Sequence, residues 1–289
     1  MNLEPSEKKE SLKNILSKID DEKKVLSKIS KNIKKFSARE NKVQTIEDLL
    51  YINKIINSID SDISSLSSDK IRDLITNWSN NEQKDIESNI NKLQSNFAMN
   101  LYNNLKDIGI KLEGHMPKLK AGFYKLEINL LKNECNILFG QDKEKITTIK
   151  VDPQAISKYI ENHQEKLEKN YESSDTFVHT LEKAYSNAVK KSDTLNTQVP
   201  IIELMLELSM LKQSNQFKSN PSRLSYKNYG RIQFSYDLFR LIQDRPEGYN
   251  IKLSTATRDQ ARNRGKYLWI PKNNRGEGSI FSHLEFSRL

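Results

Sequence analysis

Apolar residues recur every three or four positions along the first third of the chain, and this period restricts what the segment can fold into. Between residues 12 and 36 the series is Leu12, Ile15, Ile19, Leu26, Ile29, Ile33 and Phe36, with Glu22 in its one gap. Alternating steps of three and four place these side chains on one stripe of a helix, as in a left-handed coiled coil. The same period returns over residues 49–66 and 86–105. We therefore predict a helical coiled-coil arm over residues 1–108, with three or four long helices that form an antiparallel bundle or pair with another chain.

Two short motifs predict where helices begin within this arm. The segments Thr45 to Asp48 and Ser79 to Glu82 have the spacing of a capping box. In that motif a hydroxyl and a carboxyl group three residues later bond to free N–H groups at the start of a helix. The motifs predict helix starts near residues 45 and 79.

Lysines form a second stripe on the first predicted helix. Its members are Lys24, Lys28, Lys31 and Lys35, and between residues 23 and 42 Glu40 alone opposes eight basic residues. Such a stripe can follow phosphates or lie on a membrane surface. It can equally be the solvated flank of a coiled coil, and the sequence leaves both interpretations open.

The hydrophobic period changes at Gly109. Short β-prone runs occupy residues 110–112, 123–130, 136–139 and 146–151, and the second run alternates apolar and polar side chains. Alternation is typical of a half-buried strand in an antiparallel meander. Asp152 before Pro153 then predicts the start of a helix, and a second helix follows with Phe177 and Leu181. We predict a small sheet with two helices over residues 109–198.

The last third has the element order of a winged helix-turn-helix. Val199 and Pro200 introduce an apolar helix, and a second helix is predicted from Gly230 to Gln243. A strand over residues 249–253, a short basic helix after Ser254, and a hairpin of residues 267–270 with 280–286 follow. In a winged helix one helix enters the DNA major groove and the hairpin tip contacts the backbone. The expected fold class is mainly α with a small β component, ending in a winged-helix-like α+β domain over residues 199–289.

Positive charge concentrates in this last third. Nine of the eleven arginines lie between Arg223 and Arg288, and residues 200–289 hold 15 Lys+Arg against 8 Asp+Glu, which is +7 of the net charge of +9. Arginine offers a planar fork of donors that matches phosphate and carboxylate groups. The concentration predicts an anionic partner at this end, either nucleic acid or an acidic protein surface.

The candidate nucleic-acid-binding residues come from the second helix, the short basic helix and the hairpin tip. They are Arg231, Arg258, Arg262, Arg264, Lys266, Lys272 and Arg275. We expect contacts to phosphates to dominate the affinity, with little reading of base edges.

The sequence contains none of the common catalytic motifs. It has no P-loop, no His-Glu-x-x-His and no Gly-x-Ser-x-Gly. Cys135 is the only cysteine, which excludes an intrachain disulfide or thiolate cluster and favours a reducing compartment. No signal peptide and no transmembrane run of roughly 18 apolar residues is present. We expect a cytoplasmic protein without catalytic residues, cofactor or bound metal.

Two functions are compatible with these features. The first is a non-enzymatic nucleic-acid-binding protein, with DNA favoured over RNA, whose helical arm forms a homodimer or docks on a partner. The second is an accessory subunit of a larger ATPase or nuclease complex that binds an acidic or coiled-coil partner. Complexes for chromosome maintenance and bacterial anti-phage defence contain such subunits, and the comparison is one of architecture only.

Overall fold

The computed structural model describes residues 5–40, 46–130, 132–140, 144–191 and 197–289. Over these residues the fold is mixed α/β, with eight α-helices and two antiparallel sheets of five and four strands. The chain divides into two compact units, Met1–Phe97 with Leu130–Asn133, and Ala98–Asn129 with Glu134–Leu289. The predicted domain boundaries at 108/109 and 198/199 stay predictions. Among the described residues no helix is both long and apolar enough to cross a lipid bilayer.

Three long helices precede the first sheet, as the apolar period predicts. They are α1 (Pro5–Ser37), α2 (Ile46–Ile63) and α3 (Asp69–Asp107). Their core is built mainly from isoleucine, because the period places one apolar face of each helix toward the others. Ile56 and Ile59 of α2 are fully buried, and Phe36 of α1 meets Trp78 of α3 edge-on, with ring centroids 5.2 Å apart.

The helix start predicted at Ser79 is wrong, because this residue lies in the interior of α3. Its hydroxyl is buried and donates a hydrogen bond of 2.5 Å to Asp60 of α2, and Gln83 donates to the other oxygen of the same carboxylate at 2.7 Å. The hydroxyl therefore serves a contact between helices rather than a cap. The other predicted start, at Thr45, lies outside the described residues, and α2 begins at Ile46.

The apolar series of α1 divides at Glu22 into a packed half and an exposed half. Ile29 and Phe36 are buried in the core with α2, whereas four apolar residues nearer the N-terminus are exposed. We call these the exposed α1 stripe: Leu12 (60% exposed), Ile15 (51%), Leu16 (60%) and Ile19 (56%). The Glu22 carboxylate accepts hydrogen bonds from the backbone N–H groups of Ser67 and Ser68, at 3.0 and 3.3 Å, just before α3. The gap in the series is thus a polar contact to the α2–α3 turn.

The first sheet is a five-stranded antiparallel meander in sequence order, as predicted, with one strand more. Its strands are β1 (Leu112–His115), β2 (Lys118–Ala121), β3 (Tyr124–Asn129), β4 (Glu134–Phe139) and β5 (Lys145–Ile149). In β3 the alternate residues Tyr124, Leu126 and Ile128 are buried. The sequence pattern does not predict strand β2, because Gly114 and Pro117 resemble a loop. In the structure Gly114 lies within β1, and Pro117 lies in the two-residue connection to β2.

Two helices follow the meander where the sequence predicts them. Helix α4 (Pro153–Asn170) begins with Pro153 in its first turn, and the Asp152 side chain accepts a hydrogen bond from the Gln154 N–H at 2.9 Å. Helix α5 (Ser174–Lys191) buries Phe177, Val178 and Leu181 on one face. The local capping signal at Asp152 is sufficient to fix the start of α4.

The second sheet is organised around one long strand, β9, with which its three other strands pair. Helices α6 (Ile201–Leu211), α7 (Asn215–Ser219) and α8 (Arg231–Asp244) combine with strands β6 (Val199–Pro200), β7 (Tyr249–Thr255), β8 (Leu268–Pro271) and β9 (Gly278–Arg288). The first half of β9 pairs with β8 as the predicted hairpin. The second half of β9 pairs with β7, and β6 adds two residues on its other side.

The short basic helix of the predicted winged helix is absent from residues 197–289, all of which the structure describes. Ser254 and Thr255, interpreted as its start, are the last residues of β7 and pair with His283 and Phe281. Only two three-residue 3-10 turns follow, at Gln260–Arg262 and Arg264–Lys266. The segment has no apolar face that would fix a longer helix, and the Asn263 side chain closes its own turn by accepting from the Gly265 N–H. A winged helix is therefore not confirmed.

The β8–β9 hairpin packs on the meander instead of projecting from the protein. Trp269 of β8 is 4% exposed and meets Phe139 of β4 edge-on, with ring centroids 5.4 Å apart. At the hairpin tip the backbone of Gly276 lies so close to Gly122, between β2 and β3, that a Cβ atom added to Gly276 would be 1.8 Å from the Gly122 carbonyl oxygen. Contact this close requires glycine, so these residues hold the tip against the sheet.

Candidate nucleic-acid interface

The seven candidate basic residues lie in one compact unit and at three places in its fold. Arg231 is the first residue of α8. The connection from β7 to β8, residues 256–267, carries Arg258, Arg262, Arg264 and Lys266, and we call it the basic loop. The hairpin turn, residues 272–277, carries Lys272 and Arg275. Six of the seven side chains are exposed, and Arg231 is the exception.

The structure brings Arg231 and Arg264 together on a shared carboxylate, that of Glu144. Arg231 Nε lies 2.5 Å from one Glu144 oxygen, and Arg264 Nη2 lies 2.6 Å from the other. The two remaining nitrogens of Arg231 donate to the carbonyl oxygens of Arg264 and Tyr267, at 2.9 and 2.7 Å. All three nitrogens of Arg231 are therefore engaged, and this side chain anchors the basic loop to α8. The Arg264 side chain is 57% exposed, and the hydrogen bond to Glu144 raises its pKa.

A basic cleft of about 340 Å³ lies beside this anchor, where α8 begins. Its charged lining consists of Lys145, Lys166, Arg231 and Arg264 against the single carboxylate of Glu144, so four positive groups face one negative group. Gly230 caps α8 without a side-chain hydrogen bond, and residues 230–233 at the start of this helix line the cleft. The charge and the helix terminus both favour an anionic group in this cleft.

Four of the candidate residues have no carboxylate within ion-pair distance in the described parts of the chain. They are Arg258, Lys266, Lys272 and Arg275. Arg262 pairs with Asp259 at 3.5 Å on the surface. The basic loop and the hairpin turn flank the four residues of β8, which separates them by about 13 Å along the strand. Arg275 lines a second cleft of about 740 Å³, together with Lys111, Arg240 and Phe123.

Other arginines of the last third recognise carboxylates of the protein itself. Arg240 of α8 pairs with Glu168 of α4 and lies over the Tyr171 ring, 5.2 Å from its centroid. Arg288 makes two hydrogen bonds to Glu182 of α5, at 2.6 and 2.8 Å. Part of the arginine concentration thus serves internal contacts. These two arginines and Arg231 are therefore engaged by groups of the protein itself and do not belong to a free positive surface.

The basic stripe predicted on α1 is exposed in the structure. Lys24, Lys28, Lys31 and Lys35 all face solvent, and Lys24 forms a weak surface pair with Asp21 at 3.4 Å. These residues lie in the first compact unit, whereas the seven candidate residues lie in the second.

Sequence reasoning missed Lys145, Lys166 and Glu144, which complete the basic cleft. They lie on the β5 side of the meander and on α4, and Glu144 is 87 residues from Arg231 and 120 from Arg264. Residues 111–199 hold 14 Lys+Arg and 13 Asp+Glu. This balance does not indicate that one glutamate there forms ion pairs with two arginines far away in the sequence.

Glu144 gives a test of the anchor. We expect Glu144→Gln to lower the free energy of unfolding by about 2 kcal/mol, less than the roughly 3–5 kcal/mol of a fully buried pair because Arg264 is half exposed. Glu182→Gln is the matched control, since it breaks the surface pair with Arg288 and should cost a small fraction of that. Urea unfolding of both variants measures the difference, and equal losses would show that Glu144 is not an anchor.

Comparison with known proteins leaves the site to be interpreted from its chemistry. None of the protein-family models matches the chain, and no curated protein or solved structure is significantly similar to it. Within the described residues no group of three or more His, Cys, Asp or Glu side chains could hold a metal ion.

Proposed function

We propose that the protein binds nucleic acid, and DNA in particular, without catalysing a reaction on it. The observation that carries the proposal is the basic cleft, in which four positive groups line the same space as one carboxylate. The exposed cations Arg258, Lys266, Lys272 and Arg275 of the basic loop and the hairpin turn add to it. Phosphate groups are the ligands that such a set of lysines and arginines binds best. Arg231 acts in this proposal by holding the basic loop in place, while the exposed residues make the contacts.

Binding in this form depends on the backbone rather than on the bases. The basic loop contains 3-10 turns and no α-helix that could enter the major groove, and the hairpin tip is packed on Gly122. Residues 234–239 in the middle of α8 are buried, so α8 offers no groove-reading face either. We therefore expect weak sequence preference and a steep dependence on salt.

The test is fluorescence anisotropy with a labelled DNA duplex at several salt concentrations. With about five phosphate contacts, the slope of log K against log salt should be about −4.5. Reversing the charge of Arg258, Lys266, Lys272 and Arg275 to glutamate should weaken binding at least about tenfold and bring the slope toward about −1. All four side chains are exposed, so the variant should fold.

A matched control separates local contacts from total charge. Reversing Lys54, Lys70, Lys84 and Lys92, four exposed lysines of α2 and α3, changes the net charge by the same amount. The control should keep most of the affinity. If both variants bind DNA equally, or if the folded variant of the basic loop and hairpin turn binds as tightly as the natural protein, the proposal is wrong.

A second candidate function is that of an accessory subunit that docks on a helical partner. The observation that favours it is the exposed α1 stripe, which leaves four large apolar side chains of one helix face more than half exposed. Exposed apolar patches of this kind mark interaction sites on many proteins. The two functions involve different units of the chain, and each can hold without the other.

A further inference from the structure

The exposed α1 stripe continues the heptad pattern that α1 already uses to pack on α2. In the lettering of a heptad, Leu12 and Ile19 are at position a and Ile15 is at position d. The buried residues Ile29 and Phe36 are also at position d, so the two halves of α1 share one heptad phase. Leu16 widens the stripe at an e position. A helix face with this spacing receives the knobs of a facing helix, whichever chain supplies it.

Helix α2 leaves this half of α1 uncovered because it ends before reaching it. It ends at Ile63, and the following turn is fixed to Glu22 by the hydrogen bonds of Ser67 and Ser68. The uncovered stripe begins one turn further toward the N-terminus of α1. A partner helix seated there would continue in the position that α2 occupies along the rest of α1.

The charges beside the stripe indicate what kind of helix fits. The charged residues at the flanking e and g positions are all lysine: Lys9, Lys18 and Lys23, each exposed. In a parallel pair of two copies Lys18 would face Lys23 of the other copy, and in an antiparallel pair lysine flanks would again face each other. Like charges at these positions oppose pairing, whereas glutamates on the facing helix would pair with them.

From this arrangement we infer that the exposed α1 stripe is the docking site for an amphipathic helix of another protein with acidic flanks. The inference rests on the accessory-subunit function and is independent of nucleic-acid binding. The stripe supplies three heptad layers, so the interface is short and should exchange readily rather than form a permanent coiled coil.

The test uses the full-length protein and two synthetic three-heptad peptides. Both carry isoleucine at a and leucine at d, and they differ in having only glutamate or only lysine at e and g. Anisotropy of the labelled peptides should show that the glutamate peptide binds at least about tenfold more tightly. Lys18→Glu with Lys23→Glu should reverse this preference, and Ile15→Ser with Ile19→Ser should abolish binding of both peptides.

Two controls keep the result specific to the stripe. Leu74→Ser removes an apolar side chain of α3 that is 72% exposed and should leave peptide binding unchanged. Circular dichroism should show natural helix content in all variants. The inference is overturned if the two peptides bind with the same affinity or do not bind at all. It is also overturned if light scattering shows a dimer that the double variant Ile15→Ser with Ile19→Ser dissociates, because a second copy of the chain is then the occupant of the stripe. Loss of DNA binding in these variants would concern the other function and not this one.

Discussion

Replacing Gly276 with alanine is expected to lower the free energy of unfolding by more than about 3 kcal/mol. Gly276 has a φ of +69°, a conformation that costs a residue with a side chain about 1 kcal/mol. The new Cβ atom would lie 1.8 Å from the carbonyl oxygen of Gly122 and 2.7 Å from its carbonyl carbon. These are backbone atoms of the β2–β3 turn, so no side chain can rotate away and the hairpin tip must separate from the sheet.

Gly248 provides a control with the same backbone conformation and no close neighbour. Its φ is +77°, and a Cβ atom added there would meet nothing within 4 Å. Gly248→Ala should therefore cost only the conformational part, about 1 kcal/mol. Urea unfolding of the two variants compares them directly. Similar losses in both would mean that the hairpin tip does not lie against the meander.

The elements that the sequence predicted well are those set by local patterns. The spacing of Ile29, Ile52 and Ile86 with their neighbours predicted α1, α2 and α3, and the alternation around Leu126 predicted β3. Asp152 before Pro153 located the start of α4 to within a residue. In each case a single helix face, strand face or cap carries the signal, and tertiary contacts agree with it.

The features that could not be predicted depend on residues far apart in the chain. The pairing of Glu144 with Arg264 spans 120 residues, and no local pattern distinguishes Glu144 from a solvated glutamate. The hydroxyl of Ser79 was mistaken for a cap because its true partner, Asp60, lies on another helix. The basic loop was interpreted as a helix because Ser254 and Thr255 resemble a start signal, whereas pairing with β9 keeps them extended. Of the candidate site, the exposed cations were predictable and the cleft that joins them was not.

A buried carboxylate belongs to a hydrogen-bond network that links α8 to α4 in the second compact unit. Asp237 of α8 is fully buried and accepts hydrogen bonds from the Tyr229 hydroxyl and from Gln233 Nε2, each at 2.7 Å. Gln233 also donates to the carbonyl oxygen of Leu167 in α4, at 3.1 Å. Next to this network Lys212, at the end of α6, pairs with Glu172 at 2.9 Å and lies over the Tyr229 ring. The carboxyl group is thus satisfied by hydrogen bonds, and no Lys or Arg of the described residues forms a direct ion pair with it.

The network predicts that Asp237 makes folding stability depend on pH. Burial raises the pKa of Asp237 from its ordinary value of 3.8 to about 6, although Gln233, Tyr229 and Lys212 oppose the rise. Between these two values the folded protein binds more protons than the unfolded chain. The contribution of this group is therefore fully present below pH 4 and is lost as the pH rises through about 6. A rise of this size corresponds to about 3 kcal/mol.

Asparagine has no group that titrates in this pH range, so Asp237→Asn should remove this pH dependence. We expect the stability of the natural protein relative to Asp237→Asn to fall by up to about 3 kcal/mol between pH 4 and pH 7.5, because all other titrating groups cancel in the difference. Urea unfolding at several pH values measures it. Glu182→Gln should show the opposite sign, since Arg288 lowers the pKa of Glu182 and the natural protein gains relative to this variant as the pH rises. A difference that does not change with pH would mean that Asp237 remains ionised in the folded protein throughout this range.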